Sequence, residues 1–374
     1  MRVGDENMVQ RITDTGVDEE DIIGSESIKQ PYDPGRINVV RQEMTVFQVL
    51  RKIINKEINL EPDFQRNLVW DETRQSRLIE SILIRIPLPS FYMDATNDDE
   101  WLIIDGLQRL STLHRYVNEE KFALQGLEFL EELKDKKFNQ LPRSYQRRIE
   151  ETPLLLYIIR PETPSEAKFT IFRRINTGGM VLTAQEIRHC LYRGKSTELL
   201  KELASSPEFR KATSNSVSPD RMDDRECVIR FFAFYLTPYH EYQKRDFDTF
   251  LGDTMVKINQ MSDNELAQIS KAFKDAMIKA EAVFGKNAFR KPKGRDQRAR
   301  NPINKALFEV WSVCLQKYPL DVLLKNKEKI NERFIYYMNN DPEFVNSISQ
   351  GTGEVKKVHK RFEVIENVIR EGIN

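Results

Sequence analysis

Four residues in the stretch WLIIDGLQRLSTLHRY, at 101–116, have the types and spacing to handle a phosphate: Asp105, Gly106, Gln108 and Arg109. A buried strand that ends in Asp-Gly and feeds a helix gathers unpaired backbone N–H groups and the positive end of the helix dipole in one place. Such an end attracts anions. Gly106 lets a phosphate approach the backbone, Arg109 supplies a fixed cationic fork, and Asp105 can bind Mg²⁺ or orient a water. Phosphoryl chemistry asks for those parts, because it is mostly positioning and charge neutralisation. The same residues have an architectural reading, in which Asp105 caps the helix, worth about 1 kcal/mol, and Arg109 pairs with a surface carboxylate.

Three further sets carry similar chemistry. In PDFQRNLVW, at 62–70, Gln65 and Arg66 sit between Phe64 and Trp70, so Arg66 is either a second anion ligand or a charge lying along Trp70. In FRRINTGGMVLTAQEIRH, at 172–189, Arg173, Arg174, Asn176 and Thr177 gather beside Gly178 and Gly179, a turn that also serves as a plain helix C-cap. The stretch KNAFRKPKGRDQRAR, at 286–300, has seven basic residues and one acidic. Arg290, Lys291, Lys293 and Arg295 are its candidates for contact with a DNA backbone, a flexible basic loop being able to follow a charged polymer and release its counterions. A solvated loop between helices is the alternative.

Other chemistries are excluded. His114, His189, His240 and His359 form no H-E-x-x-H or H-x₃₋₅-H spacing, and Cys190, Cys227 and Cys314 form no C-x-x-C, which speaks against zinc and against a disulfide framework. There is no P-loop and no G-x-S-x-G elbow. Lys plus Arg and Asp plus Glu are equal at 58 each, so nucleic-acid contact must come from local patches. The first residues lack a signal-peptide core and FFAFYL, at 231–236, is too short to span a bilayer, so a cytoplasmic protein with no membrane role is expected.

The elements that must position these residues fall into two domains, as a chain of 374 residues suggests. Residues 1–35 read as an acidic, flexible tail. Residues 36–195 read as a mixed domain. Thr45 caps a helix with Val46, Val49, Leu50, Ile53 and Ile54 on one face. Asp71 caps another with Leu78, Ile79, Ile82, Leu83 and Ile86, ended by Pro87 and Pro89. WLII and PLLLYII, at 153–159, read as buried strands, 117–150 mixes strand and helix signals, and Thr183 with Glu186 makes a capping box. Residues 196–374 read as all helix. CVIRFFAFYL, at 227–236, is its central buried helix, and Asn301 with Pro302 opens another. The fold class is α+β, a small mixed sheet with helices followed by an α-helical domain.

Together the blocks PDFQRNLVWDETRQSRLIESILIRIPLPSFYM, IIDGLQRLSTL, FRRINTGGMVLTAQEIRHCL and DRMDDRECVIRFFAFYL resemble the N-terminal domain family of GmrSD-type modification-dependent restriction systems, within the ParB and sulfiredoxin-like superfamily. The resemblance covers roughly residues 40–370 and places Asp105, Gly106, Gln108 and Arg109 on the family's D-G-Q-Q-R motif, with Leu107 where the first Gln is expected. It implies a ParB-like nucleotide-binding domain that binds and hydrolyses nucleoside triphosphate in anti-phage defence. On that expectation Asp105 holds Mg²⁺, Gln108 orients water, Arg109 neutralises the leaving phosphate, and Gln65, Arg66, Gly106, Arg174 and Asn176 bind the nucleotide. The fused HNH nuclease of some relatives has no counterpart here. The expected partners are therefore nucleoside triphosphate, DNA, a separate HNH-type nuclease subunit and further copies of the chain. The alternatives are a non-hydrolysing, nucleotide-gated switch that engages DNA or a partner, and a nuclease acting through this domain itself.

Overall fold

The computed structural model describes residues 16–18, 33–60, 70–175, 182–243, 246–292 and 300–374. The fold is α+β, and the chain divides into one compact unit of residues 30–182 and a second that combines 1–29 with 183–374.

In the first unit, β1 (Val39–Thr45) runs through Thr45 into α1 (Val46–Ile54). The Thr45 hydroxyl accepts from the Gln48 N–H, and the Gln48 side chain accepts from the Thr45 N–H at 2.9 Å, a reciprocal cap. Val46, Val49, Leu50 and Ile53 are buried as their spacing predicts. Ile54 is exposed, at the last turn, where the chain leaves through a left-handed Lys56. After β2 (Ile58–Asn59), α2 (Glu72–Leu83) opens on Asp71, whose carboxylate accepts from the Arg74 N–H at 2.7 Å. This helix stops ahead of the prolines: Arg85 turns left-handed and the Ile86 N–H bonds back to the Ser81 carbonyl at 2.8 Å. Ile86 therefore faces outward instead of extending the apolar face.

The remaining elements are β3 (Phe91–Asp94), β4 (Trp101–Asp105), α3 (Leu107–Val117), α4 (Arg143–Glu150), β5 (Pro153–Ile159) and α5 (Ser165–Ile175). The five strands form one mixed sheet in the order β1-β5-β3-β4-β2. β1 runs antiparallel to β5 and β3 antiparallel to β4, while β5 runs parallel to β3 and β2 parallel to β4. Residues 118–142 form no strand, contrary to their sequence signals. They wrap the unit irregularly, because the buried Glu80 carboxylate on α2 accepts the N–H groups of Glu128, Phe129 and Leu130 at 2.7–3.0 Å. Three donors that a strand would have paired are satisfied by one side chain.

The second unit is helical among its described residues, apart from one isolated bridge. Its elements are α6 (Ala184–Leu191), α7 (Lys195–Ala204), α8 (Pro207–Ala212), α9 (Asp223–Leu236), α10 (Phe247–Asn259), α11 (Asp263–Phe284), α12 (Lys305–Gln316), α13 (Leu320–Lys325), α14 (Lys327–Asn340), α15 (Pro342–Ser347) and α16 (Val355–Ile373). α9 is the buried helix that its sequence predicts, and the three cysteines are free and buried. α12 begins later than Asn301 and Pro302 suggest. Asn304 is its cap, accepting from the Leu307 N–H at 2.8 Å, because Ile303 is engaged as an extended partner of Val17. Gly16–Asp18, inside the segment expected as a flexible tail, thus pack into this unit, and Val17 is fully buried.

Charge also runs through this core. Arg188 on α6 meets Asp248 at 2.5 Å and Glu226 at 3.6 Å, while Glu226 also meets Arg230 at 2.8 Å and Lys305 at 3.1 Å. Arg230 continues to Glu309 at 3.6 Å, and Glu309 to Arg361. Glu226 and Glu309 each lie between cations. The arrangement holds Glu226 far below the usual carboxylate range: burial pushes its pKa up, and Lys305, Arg230 and Arg188 together outweigh that push.

Candidate functional site

The junction between β4 and α3 is built around one glycine. Gly106 is the N-cap of α3 with φ of 101°, in the left-handed region, and a Cβ there would lie 2.3 Å from Cδ1 of Phe91. Both facts demand glycine. No side chain caps α3 among the described residues, so Asp105 does not play the capping role its position suggests. Tyr92 pairs with Asp105 across the sheet, and Leu107, Leu110 and Leu113 bury the inner face of α3. Leu107, the departure from the D-G-Q-Q-R pattern, is therefore part of the packing.

Asp105 and Arg109 form an ion pair at 2.9 Å, their side chains 34% and 11% exposed. The Arg109 guanidinium also donates to the Ser90 carbonyl at 3.1 Å and to the Pro89 carbonyl, and its carbon lies 4.3 Å above the Phe91 ring. Burial lowers its pKa and the Asp105 charge opposes this, yet an arginine stays cationic. The planar fork thus ties the entry of β3 to the first turn of α3. Pro89, Ser90 and Phe91 were not legible as parts of the junction, since nothing in a P-S-F tripeptide announces a guanidinium seat. Gln108 is half-buried on that turn, and its carbonyl accepts from the Thr112 hydroxyl at 2.7 Å. Thr112 is itself buried.

Of the other candidates, Gln65, Arg66, Asn176, Gly178, Gly179, Lys293 and Arg295 lie outside the described residues. Arg173 and Arg174 are exposed on the last turn of α5 and make no hydrogen bond or ion pair with the junction among the described residues. Thr183 and Glu186 form the expected capping box, with Glu186 also 3.3 Å from Arg221. Arg290, expected as a surface contact for DNA, is buried. It donates to the carbonyls of Asn301 and Thr213 and to the Ser216 hydroxyl at 2.6 Å, and burial together with nearby Arg300 pulls its pKa down to about 10. These bonds all go to groups of its own unit. Lys291 is half-buried against Asp18, at 2.8 Å.

Among the described residues no group of three or more His, Cys, Asp or Glu is placed to hold a metal ion. Asp105 offers a single carboxylate, which suits an Mg²⁺ that arrives on nucleotide phosphates, since such ions take one or two protein carboxylates and keep their remaining ligands from phosphate and water. No helix among the described residues is long and apolar enough to cross a membrane.

The sequence signature described as "GmrSD restriction endonuclease, N-terminal domain" matches residues 48–193, from within α1 to just past α6. That interval contains the D-G-L-Q-R junction and the 172–189 block, and ends before the DRMDDREC block. No curated protein and no solved structure matches the chain.

Proposed function

We propose, from the match of residues 48–193 to the GmrSD restriction endonuclease N-terminal domain signature, that the protein is the nucleoside triphosphate-handling component of a restriction system directed at foreign DNA. The observation that carries the reading is the β4–α3 junction: a helix start with no side-chain cap, a glycine without room for a Cβ, and an exposed edge of carboxylate beside it. Terminal phosphates would meet the N–H groups of the first turn of α3, with Gln108 positioned on that turn to orient a water. Asp105 would hold Mg²⁺, which supplies charge neutralisation for the phosphates. Arg66, Arg174 and Asn176 are proposed to complete the nucleotide pocket, and a separate HNH-type nuclease subunit to cut the DNA.

One observation favours a second reading. Arg109 is engaged by Asp105 and two backbone carbonyls, which suits a strut under a binding site better than a group that follows charge onto a leaving phosphate. In that reading nucleotide binds without turnover and switches the affinity for DNA or a partner. Phosphate release from each of the four ribonucleoside triphosphates, with and without DNA, on wild type and Asp105→Asn, separates the two. Multiple turnover that Asp105→Asn lowers supports hydrolysis. Saturable binding with no turnover in either protein supports the switch, and no binding of any nucleotide sinks both.

A further inference from the structure

Gly16–Asp18 make more contacts with the 289–304 region than a passing chain needs. Val17 forms a parallel bridge with Ile303, the Asp18 N–H donates to the Ile303 carbonyl at 2.7 Å, and the Ile303 N–H donates to the Gly16 carbonyl at 3.4 Å. Gly16 is left-handed at φ of 79°, and a Cβ there would lie 2.2 Å from the Ser216 carbonyl oxygen. Asp18 is buried, and its carboxylate sits 2.8 Å from the Lys291 ammonium and accepts from the Asn304 amide at 3.1 Å. Lys291 is the cation on which the Asp18 carboxylate is seated.

Charge continues the pattern at the level of sequence. Residues 1–30 hold eight acidic and three basic residues, against seven basic and one acidic in 286–300. The docking itself is modest: one buried valine, a few main-chain bonds and an ion pair must offset the ordering of the residues that make them. The Asp18 carboxylate on Lys291 is an anion on a cation of the type that meets a nucleic-acid phosphate.

We infer that Gly16–Asp18 is an autoinhibitory strap that competes with DNA phosphate for Lys291, so that the helical unit binds DNA fully only when the strap has left. The inference rests on the DNA-directed part of the function proposed above. It is tested on the full chain by fluorescence anisotropy with a labelled DNA duplex, comparing wild type, Asp18→Asn, Val17→Asp, Lys291→Gln and the Asp18→Asn/Lys291→Gln double variant. Thermal melts confirm that Asp18→Asn, nearly isosteric, stays folded. At the low end of a salt series from roughly 50 to 200 mM, Asp18→Asn and Val17→Asp should bind on the order of tenfold tighter than wild type. The salt slope should steepen by about 0.9 for each phosphate contact regained. Lys291→Gln should change little in wild type and should cancel the gain in the Asp18→Asn background. Binding by wild type that Asp18→Asn and Val17→Asp leave unchanged in affinity and slope overturns the strap while leaving the DNA reading intact. Absence of binding by every protein at the lowest salt removes the DNA reading and the strap with it.

Discussion

Arg109 meets three acceptors inside its own domain, Asp105 and the carbonyls of Pro89 and Ser90, and this decides how its substitutions should be read. Lysine keeps the charge but has no planar fork, so it cannot span the three. Arg109→Lys should lower stability by about 1 kcal/mol, the net scale of a hydrogen bond lost among partly exposed acceptors. If Arg109 is a strut, nucleotide affinity falls in proportion to that loss and is restored by cooling. Were the side chain to act on the phosphate itself, phosphate release would collapse in Arg109→Lys even at temperatures where the variant is fully folded. Gln108→Ala is the complement, because its side chain is half-buried on the first turn of α3 and its carbonyl bond to Thr112 belongs to the backbone. It should leave the melting temperature within a few degrees, a shift that corresponds to about 0.5 kcal/mol in a domain of this size, while lowering turnover.

Two of the places where buried charge joins elements make predictions of their own. On α2, burial drives the Glu80 carboxyl upward, but the three N–H bonds from Glu128, Phe129 and Leu130 and the nearby Arg77 charge outweigh it, leaving Glu80 below its ordinary value. A depressed folded-state value means that the unfolded chain takes up the proton more readily. The stabilisation is therefore complete above the unfolded value, about 4.3, and fades as pH falls through the folded one. Urea titrations across pH should show Glu80→Gln less stable than wild type near neutrality, with the gap closing in the acid range. A gap that stays constant from neutral to acid pH would mean that the carboxylate charge contributes nothing. In the helical unit, Glu226 stands among Arg188, Arg230 and Lys305, so Glu226→Gln leaves a buried excess of positive charge. A loss of about 3–5 kcal/mol is expected by chemical denaturation. A loss below about 1 kcal/mol would place the network in the class of exposed pairs.

Across the whole molecule, sequence spoke clearly where a single helix end or face decides the outcome. The Thr45, Asp71 and Thr183 caps, the buried face of α1 and the apolar core of α9 all follow from local spacing. It was silent where the partner lies far along the chain. Val17 reads as part of an acidic tail until Ile303 is in place, and nothing local to Glu80, Arg188 or Glu226 announces the partners that Glu128–Leu130, α9, α10 and α12 bring to them. The D-G-L-Q-R junction was legible in its strand, its glycine and its leucine, but its Arg109 seat was not, because backbone carbonyls have no signature in sequence. The same distance effect sets apart the family interval and the compact units. The match runs to 193, yet residues 183–193 belong to the helical unit, where α6 buries Gln185, Glu186, Arg188 and His189. Arg188 finds its carboxylates on α9 and α10, and Glu186 its cation at Arg221. An isolated helix shorter than ~12 residues is marginal in water, so α6 has little reason to persist without those partners. A fragment of residues 30–182 should melt in one cooperative transition monitored by circular dichroism. Extending it to 193 should add no helical signal and should lower solubility, because the buried face of α6 is left uncovered. Added ellipticity from those residues, with an unchanged or higher melting temperature, would show instead that the family interval folds as a unit in its own right.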